Sequence, residues 1–259
     1  MTRWAAAVEY VGTRYSGWQS QPHAISVQGE LEAALSRVAA HPVAISAAGR
    51  TDAGVHGYAQ VIHFDSLSVR SPYAWLLGTN ANLPADISLR WVQAVRDDFH
   101  ARHSAVARRY RYVMHNSRAR SALLSDRAAW LAWTLDADAM HRAAQHLAGE
   151  LDFSAFRGSQ CQSNTPMRCI TDIAVHREND FVLLDIRANA FLHHMVRNIA
   201  GTLIEVGSGR RSEAWVAEVL AGRDRTRAGM TAPAQGLYFV AADYPSEFGI
   251  PAAQEFWLP

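Results

Sequence analysis

The sequence predicts an α+β fold, and three observations carry that expectation. Strand patterns with period-two alternation recur along the chain, and helical stripes with apolar residues three and four apart fall among them. The two kinds neither alternate strictly nor segregate into blocks, which points to antiparallel-rich sheets with helices on one face. The length of 259 residues fits one large domain or two modest ones. With 49% apolar and 19% charged residues the chain has ample material for a core, so disorder is excluded.

The chain opens with a strand alternating Trp4, Ala6, Val8 and Tyr10. Ser26 is the N-cap of a helix whose stripe is Val27, Leu31, Leu35 and Val38. Strand patterns follow at Val43–Ala47, Gln60–Asp65 and Leu89–Val95. A second set begins at Arg108–His115, where Tyr110, Tyr112 and Met114 share one face. A helix is expected from about Asp136 to Leu147. A hairpin then joins Ile170–His176 to Phe181–Arg187 through Glu178-Asn179-Asp180. A long helix is expected from Ala190 to Val206, stopped by Gly207 and Gly209. A short helix after Ser212 and a strand at Leu237–Asp243 complete the set. The second set echoes the first faintly, which places a boundary near Val106 and halves at 1–105 and 106–259.

Composition excludes several function classes. All 25 basic residues are arginine, so Schiff-base chemistry, pyridoxal phosphate on an internal lysine and a lysine phosphate loop are all ruled out. Anion contacts must be arginine forks, which suit phosphate. The longest apolar stretch, Ala128–Trp133, is far short of the roughly 18 residues a membrane span needs. The N-terminus lacks the apolar core of a signal peptide. Cys161 and Cys169 cannot form a disulfide framework or a four-ligand zinc site alone. A soluble cytoplasmic protein without a membrane partner is expected.

Net charge is only +1, yet the basic residues are clustered. From Phe99 to Ser125 there is no acid, while Arg102, Arg108, Arg109, Arg111, Arg118 and Arg120 accumulate with His100, His103 and His115. A second acid-free stretch, Arg187–Ile204, holds His193, His194 and Arg197. Tyrosines interleaved with arginines suit nucleic acid, since bases stack on rings while guanidinium groups hold phosphates. A solvated edge strand would show the same composition.

The most unusual segment is Gly49-Arg50-Thr51-Asp52-Ala53-Gly54-Val55-His56-Gly57. Built from small residues between two strands, it lets backbone approach a ligand and presents one carboxylate, Asp52. Arg50, two residues away, favours the ionised form of that carboxylate. An ionised aspartate suits nucleophilic or general-base work, although an isolated Asp-Ala-Gly is ordinary turn chemistry.

This segment closely resembles the active-site motif of the TruA family of tRNA pseudouridine synthases. The resemblance continues in order along most of the chain. It runs through Tyr15-Ser16-Gly17-Trp18-Gln19, Asn80-Ala81-Asn82-Leu83-Pro84 and Asp98-Phe99-His100-Ala101-Arg102. Beyond these come Arg108-Arg109-Tyr110-Arg111-Tyr112, Phe191–Asn198 and Gly236-Leu237-Tyr238. The resemblance implies two ferredoxin-like halves, related by a pseudo-two-fold axis, with the active site in a basic cleft between them. It implies a homodimer acting on uridines 38, 39 and 40 in the anticodon stem-loop of tRNA. By position, Asp52 matches the catalytic aspartate, Tyr110 the tyrosine that packs on the target base, and Arg197 the arginine paired with the aspartate. Arg50 matches the arginine entering the space of the flipped nucleotide, and Leu237 an apolar wall. Arg108, Arg109 and Arg111 are the expected substrate-binding arginines. The reaction needs no metal, nucleotide or redox cofactor, because the substrate carries its own energy.

Two other function classes are weighed beside this one. Twelve histidines raise a metal-dependent hydrolase, but none has the H-E-x-x-H spacing. A non-catalytic RNA-binding module would use Tyr110 among its arginines equally well, yet would leave the Asp52 loop without a purpose.

Overall fold

A computed structural model of the chain describes residues 1–256. It divides into two units, Met1–Arg108 with Phe239 onward, and Arg109–Tyr238. The expected boundary at 105/106 thus falls at 108/109, and the chain beyond Phe239 belongs with the first unit rather than the second. The reason is local. Val106 N–H bonds the Asp243 carbonyl at 2.8 Å, the Tyr244 hydroxyl donates to the Ala101 carbonyl, and Tyr244 packs on Phe99 at 5.2 Å between ring centroids.

The first unit contains β1 (Thr2–Tyr10), α1 (Val27–Ala39), β2 (Ile45–Ala47), β3 (His56–Ser66), α2 (Pro72–Asn82) and β4 (Ile87–Ala94). β1 lies between β3 and β4, antiparallel to both, and β2 pairs with β3. On one face Trp4, Ala6, Val8, Ile62 and Phe64 pack against Leu31, Leu35 and Trp75 of the two helices. Ser26 caps α1 as expected, its hydroxyl accepting from Gly29 N–H. α2 has no counterpart in the sequence reading, though Ser71 caps it and Pro72 occupies its first turn. Its apolar residues lie on more than one side, so it shows little helical periodicity.

The alternation in β1 predicts a half-buried strand, but Ala5 and Ala7 are buried too. Their face is covered by a turn centred on Phe99, 0% exposed, which packs on Tyr244, on Phe248 and, edge-on at 6.2 Å, on His63. His63 sits opposite Ala5 in the β1–β3 register. Its Nδ1 accepts the Ala101 N–H at 3.1 Å, which ties the turn to the sheet.

The second unit contains β5 (Ala107–Asn116, entering from the first), β6 (Ala129–Leu131), α3 (Ala137–Ala144), β7 (Gly149–Asp152), β8 (Met167–Glu178) and β9 (Phe181–Ala188). After these come α4 (Met195–Gly207), α5 (Ala214–Gly222) and β10 (Leu237–Asp243), which leads back to the first unit. Its strands run in the order β5-β9-β8-β7, with β6 parallel to β5. The hairpin turns as expected, with Asn179 in the left-handed region at φ 50°. β6 and β7 are too short to register as sequence patterns. α4 begins five residues later than expected, because His194 at φ 61° keeps the preceding segment out of the helix. Among the described residues no helix is long and apolar enough to cross a membrane.

Burial, reinforced by the positive charges of His100 and Arg3, holds the His63 imidazole down at about 4, against 6.5 for an unperturbed histidine. Between those values the unfolded chain binds the extra proton, so stability falls as pH drops from about 6.5 toward 4. The loss is on the order of 3 kcal/mol. Urea unfolding across this window should show a shallower acid-side decline in His63→Phe. An equal decline in both proteins would assign the effect to another group.

Candidate active site

The loop carrying Asp52 runs from β2 to β3, and its backbone is anchored at nearly every position around that residue. The Gly49 carbonyl accepts from the Gln60 side-chain amide at 2.7 Å. The Thr51 carbonyl accepts from Trp18 N–H at 3.0 Å, and the Thr51 hydroxyl shares a 2.8 Å hydrogen bond with the Tyr10 phenol. Val55 N–H returns to the Asp52 carbonyl at 3.1 Å, which closes a turn. Gly54 sits at its third position with φ 79°, a conformation that disfavours a side chain. His56 at the start of β3 accepts Gly12 N–H on Nδ1 at 3.1 Å.

The Tyr15–Gln19 segment acquires a physical role here. Gly17, at φ 93°, lies so close to the loop that an added Cβ would meet the Thr51 carbonyl oxygen at 2.8 Å. Tyr10 closes the other side, and Gly57 has room only for hydrogen beneath its ring. Burial pushes the Tyr10 phenol above its ordinary range, so it stays protonated and remains a stable partner for Thr51. Asp52 itself is half-buried, whereas Thr51 is buried and Arg50 exposed.

The expected substrate-binding arginines divide by environment. Arg108 is committed to backbone carbonyls: Ala48 at 3.1 Å, Arg102 at 2.6 Å and Ala105 at 3.0 Å. Ala48 directly precedes the Asp52 loop, so Arg108 braces its root. Arg111 makes a two-pronged bond to Asp185 of β9, at 2.7 and 2.9 Å. Such a fork is a fixed cross-strand tie. Arg109 is half-buried. Arg102, Arg118 and Arg120 are exposed and form no ion pair among the described residues.

Tyr110 and Tyr112, indistinguishable by strand register, differ in setting. Tyr112 is 0% exposed, and its hydroxyl donates to the Pro233 carbonyl at 2.8 Å. Tyr110 is 9% exposed and stands edge-on to Phe191 at 4.9 Å. Arg197, in the first turn of α4, is clamped to the 229–232 segment from both ends. Its Nε donates to the Ala232 carbonyl at 2.8 Å, and its own carbonyl accepts from Ala232 N–H. Leu237 is buried at the start of β10. Tyr10, Gln60 and Phe191 carry no expected site role from sequence, because their partners lie 11 to 81 positions away.

The pairing of Tyr10 with Thr51 generates a measurable expectation. Removing one partner leaves a buried hydroxyl unsatisfied, at a cost of about 1–3 kcal/mol. Tyr10→Phe and Thr51→Val should each lower stability by that amount. A double-mutant cycle should give less than the sum. Strict additivity would show that the two hydroxyls are not coupled.

A family model described as tRNA pseudouridine synthase matches residues 6–104 and 143–245, more than half of the sequence. A protein of Aeromonas hydrophila named tRNA pseudouridine synthase A is 57% identical over 259 residues, covering 99% of this chain and 96% of its own. Proteins of the same name from Escherichia fergusonii and Salmonella arizonae are 57% and 56% identical, each covering 95% of this chain and 92% of its own.

Proposed function

Because the chain belongs to the tRNA pseudouridine synthase family, and so isomerises uridine to pseudouridine in tRNA, we propose that Asp52 is its nucleophile. The observation that carries this reading is the bracing of the Asp52 loop. The carboxylate stands half-buried on a turn whose flanking residues are fixed by Tyr10, Gly12, Trp18 and Gln60. A fixed carboxylate meets the need for a reacting group held in near-attack geometry.

The reaction breaks the N1–C1′ bond, turns the uracil and joins C5 to C1′, with loss of the C5 proton. Asp52 attacks C1′, adds to C6 or removes a proton at the ribose 2′ carbon, and each route needs an ionised carboxylate. A base within a stacked stem is out of reach, so the nucleotide is flipped out at a cost of a few kcal/mol. Arg50, already exposed, enters the vacated space, and Tyr110 packs on the extruded base. Leu237 forms an apolar wall and Arg197 pairs with Asp52. Phosphate contacts fall to Arg108, Arg109 and Arg111 together with the exposed Arg102, Arg118 and Arg120. The substrate region is the anticodon stem-loop at positions 38, 39 and 40, and the enzyme is a cytoplasmic homodimer. These assignments follow from the family resemblance together with the setting of each residue.

Asp52→Asn should abolish tritium release from C5-labelled uridine in tRNA, with tRNA binding and thermal stability nearly unchanged. Turnover above about a hundredth of wild type would remove Asp52 as nucleophile. Tyr110→Phe keeps a stacking face worth roughly 1–3 kcal/mol but loses the hydroxyl. Its tRNA affinity should therefore hold while turnover falls. Tyr112→Phe should cost about 1 kcal/mol of stability through its lost bond to Pro233 and leave turnover alone. Equal turnover losses in the two variants would contradict separate roles. Activity should survive EDTA, and tRNA affinity should fall steeply with salt because arginines displace counterions from phosphate. A flat salt response would move the RNA away from the Arg102–Arg120 stripe.

A further inference from the structure

The 229–232 segment crosses α4 so closely that no side chain fits between them. An added Cβ on Gly201 would meet the Met230 carbonyl oxygen at 1.7 Å, and one on Gly229 the Gly201 oxygen at 2.6 Å. Polar groups rather than apolar burial hold this crossing, since Met230 stands 85% exposed. At one end Gly229 N–H bonds the Thr202 hydroxyl at 3.0 Å. At the other, Ala232 N–H donates to the Arg197 carbonyl at 3.1 Å, and the Ala232 carbonyl accepts from Arg197 Nε at 2.8 Å.

Between these ends lies a closed ring of three side chains. The Thr231 hydroxyl donates to Asn198 Oδ1 at 2.7 Å, and Nη2 of Arg225 donates to both of those oxygens at 3.0 Å. Asn198 is 0% exposed, and its amide nitrogen donates to the Phe156 carbonyl at 2.8 Å, which fixes the direction of its oxygen. Arg225 is half-buried and forms no ion pair among the described residues. Desolvation lowers its pKa, and no acid offsets that. A guanidinium drawn out of water toward two neutral oxygens is a costly way to hold a surface loop.

The place of the ring accounts for that cost. Asn198 follows Arg197 in α4, and Thr231 precedes Ala232, so the ring joins the neighbours of the two residues that form the Arg197–Ala232 contact. Arg197 Nε carries a single hydrogen. Once that hydrogen is bonded to a fixed carbonyl, the plane of the guanidinium is set, and the N–H groups of its other nitrogens keep one direction.

We propose that Thr231, Asn198 and Arg225 are positioning residues for the isomerisation: their ring fixes the Ala232 carbonyl, which sets the direction of the Arg197 guanidinium. This deepens the reading above and rests on Arg197 pairing with Asp52. The three residues act through Arg197 and need not touch the substrate.

The test follows the full chain by NMR and by tritium release, with circular dichroism melting as a fold control. The Nε–H signal of Arg197, identified by its loss in Arg197→Met, should exchange slowly with solvent. In Thr231→Val that exchange should quicken at least about tenfold and kcat should fall at least about tenfold, while KM for tRNA stays within about twofold. Thr231→Ser keeps the hydroxyl and should restore all three values. A role in stability alone would lower the melting temperature of Thr231→Val and leave exchange and kcat unmoved, which would overturn the proposal. Faster exchange with an unchanged kcat would also overturn it, because the direction of Arg197 would then not matter to turnover. Full turnover in Arg197→Met would instead remove the pairing with Asp52 on which the proposal rests. If Thr231→Val fails to fold, Arg225→Met decides, since it removes the Nη2 donor and leaves the Thr231–Asn198 bond. Faster exchange with lower kcat in that variant supports the ring, and wild-type values overturn it.

Discussion

Thr51 is held by both its side chain and its carbonyl, and the placement of Asp52 follows from that. The Tyr10 phenol and the Trp18 amide take the two oxygens of one residue, so the backbone next to the carboxylate has little freedom to rotate. Tyr10 ends a central strand, while Trp18 belongs to a loop before α1. The loop is therefore fixed from two separately anchored elements, and Gly17 and Gly57 allow the approach because a side chain at either place would collide. In water such a small-residue loop would sample many conformations, and ordering it carries an entropic cost. Here the cost is met on folding.

The chain has arginine for every positive charge, and it uses that residue in three physically different ways. Arg108 spreads its donors over three carbonyls, an arrangement that a single ammonium could not reproduce with the same reach. Arg111 and Arg3 form two-pronged ties to Asp185 and Asp65, and Arg3 also donates to the Asp97 and Phe99 carbonyls. Arg102, Arg118 and Arg120 stand in solvent. A basic stripe in sequence is thus partly scaffolding.

Histidine is used in an equally structural way around the Phe99 turn. His63 and His100 both accept backbone N–H groups on Nδ1, which requires that nitrogen to be unprotonated. Burial and neighbouring positive charge keep both rings below their ordinary protonation range. The turn that these rings support carries Ala101 and Arg102, and the Arg102 carbonyl is one of the anchors of Arg108. Support for the Asp52 loop therefore extends from the far face of the β1–β3 sheet, through backbone hydrogen bonds rather than ion pairs.

Sequence alone determined the α+β class, the capped helix at Val27–Ala39, the hairpin around Asn179 and the segment holding Asp52. All of these rest on local signals: alternation, capping residues, turn chemistry and a nine-residue string. It did not reveal α2, whose apolar residues serve two faces and so show little periodicity. Nor did it reveal the short β6 and β7, or the place where α4 begins. The two tyrosines of β5 share a face, and only packing distinguished the buried donor to Pro233 from the ring beside Phe191. The partition of the arginines was equally invisible, because Asp185 lies 74 positions from Arg111 and Ala48 lies 60 from Arg108. Local propensity is written in neighbouring residues, but the occupancy of a charge depends on what the folded chain brings beside it, and only tertiary structure decides that.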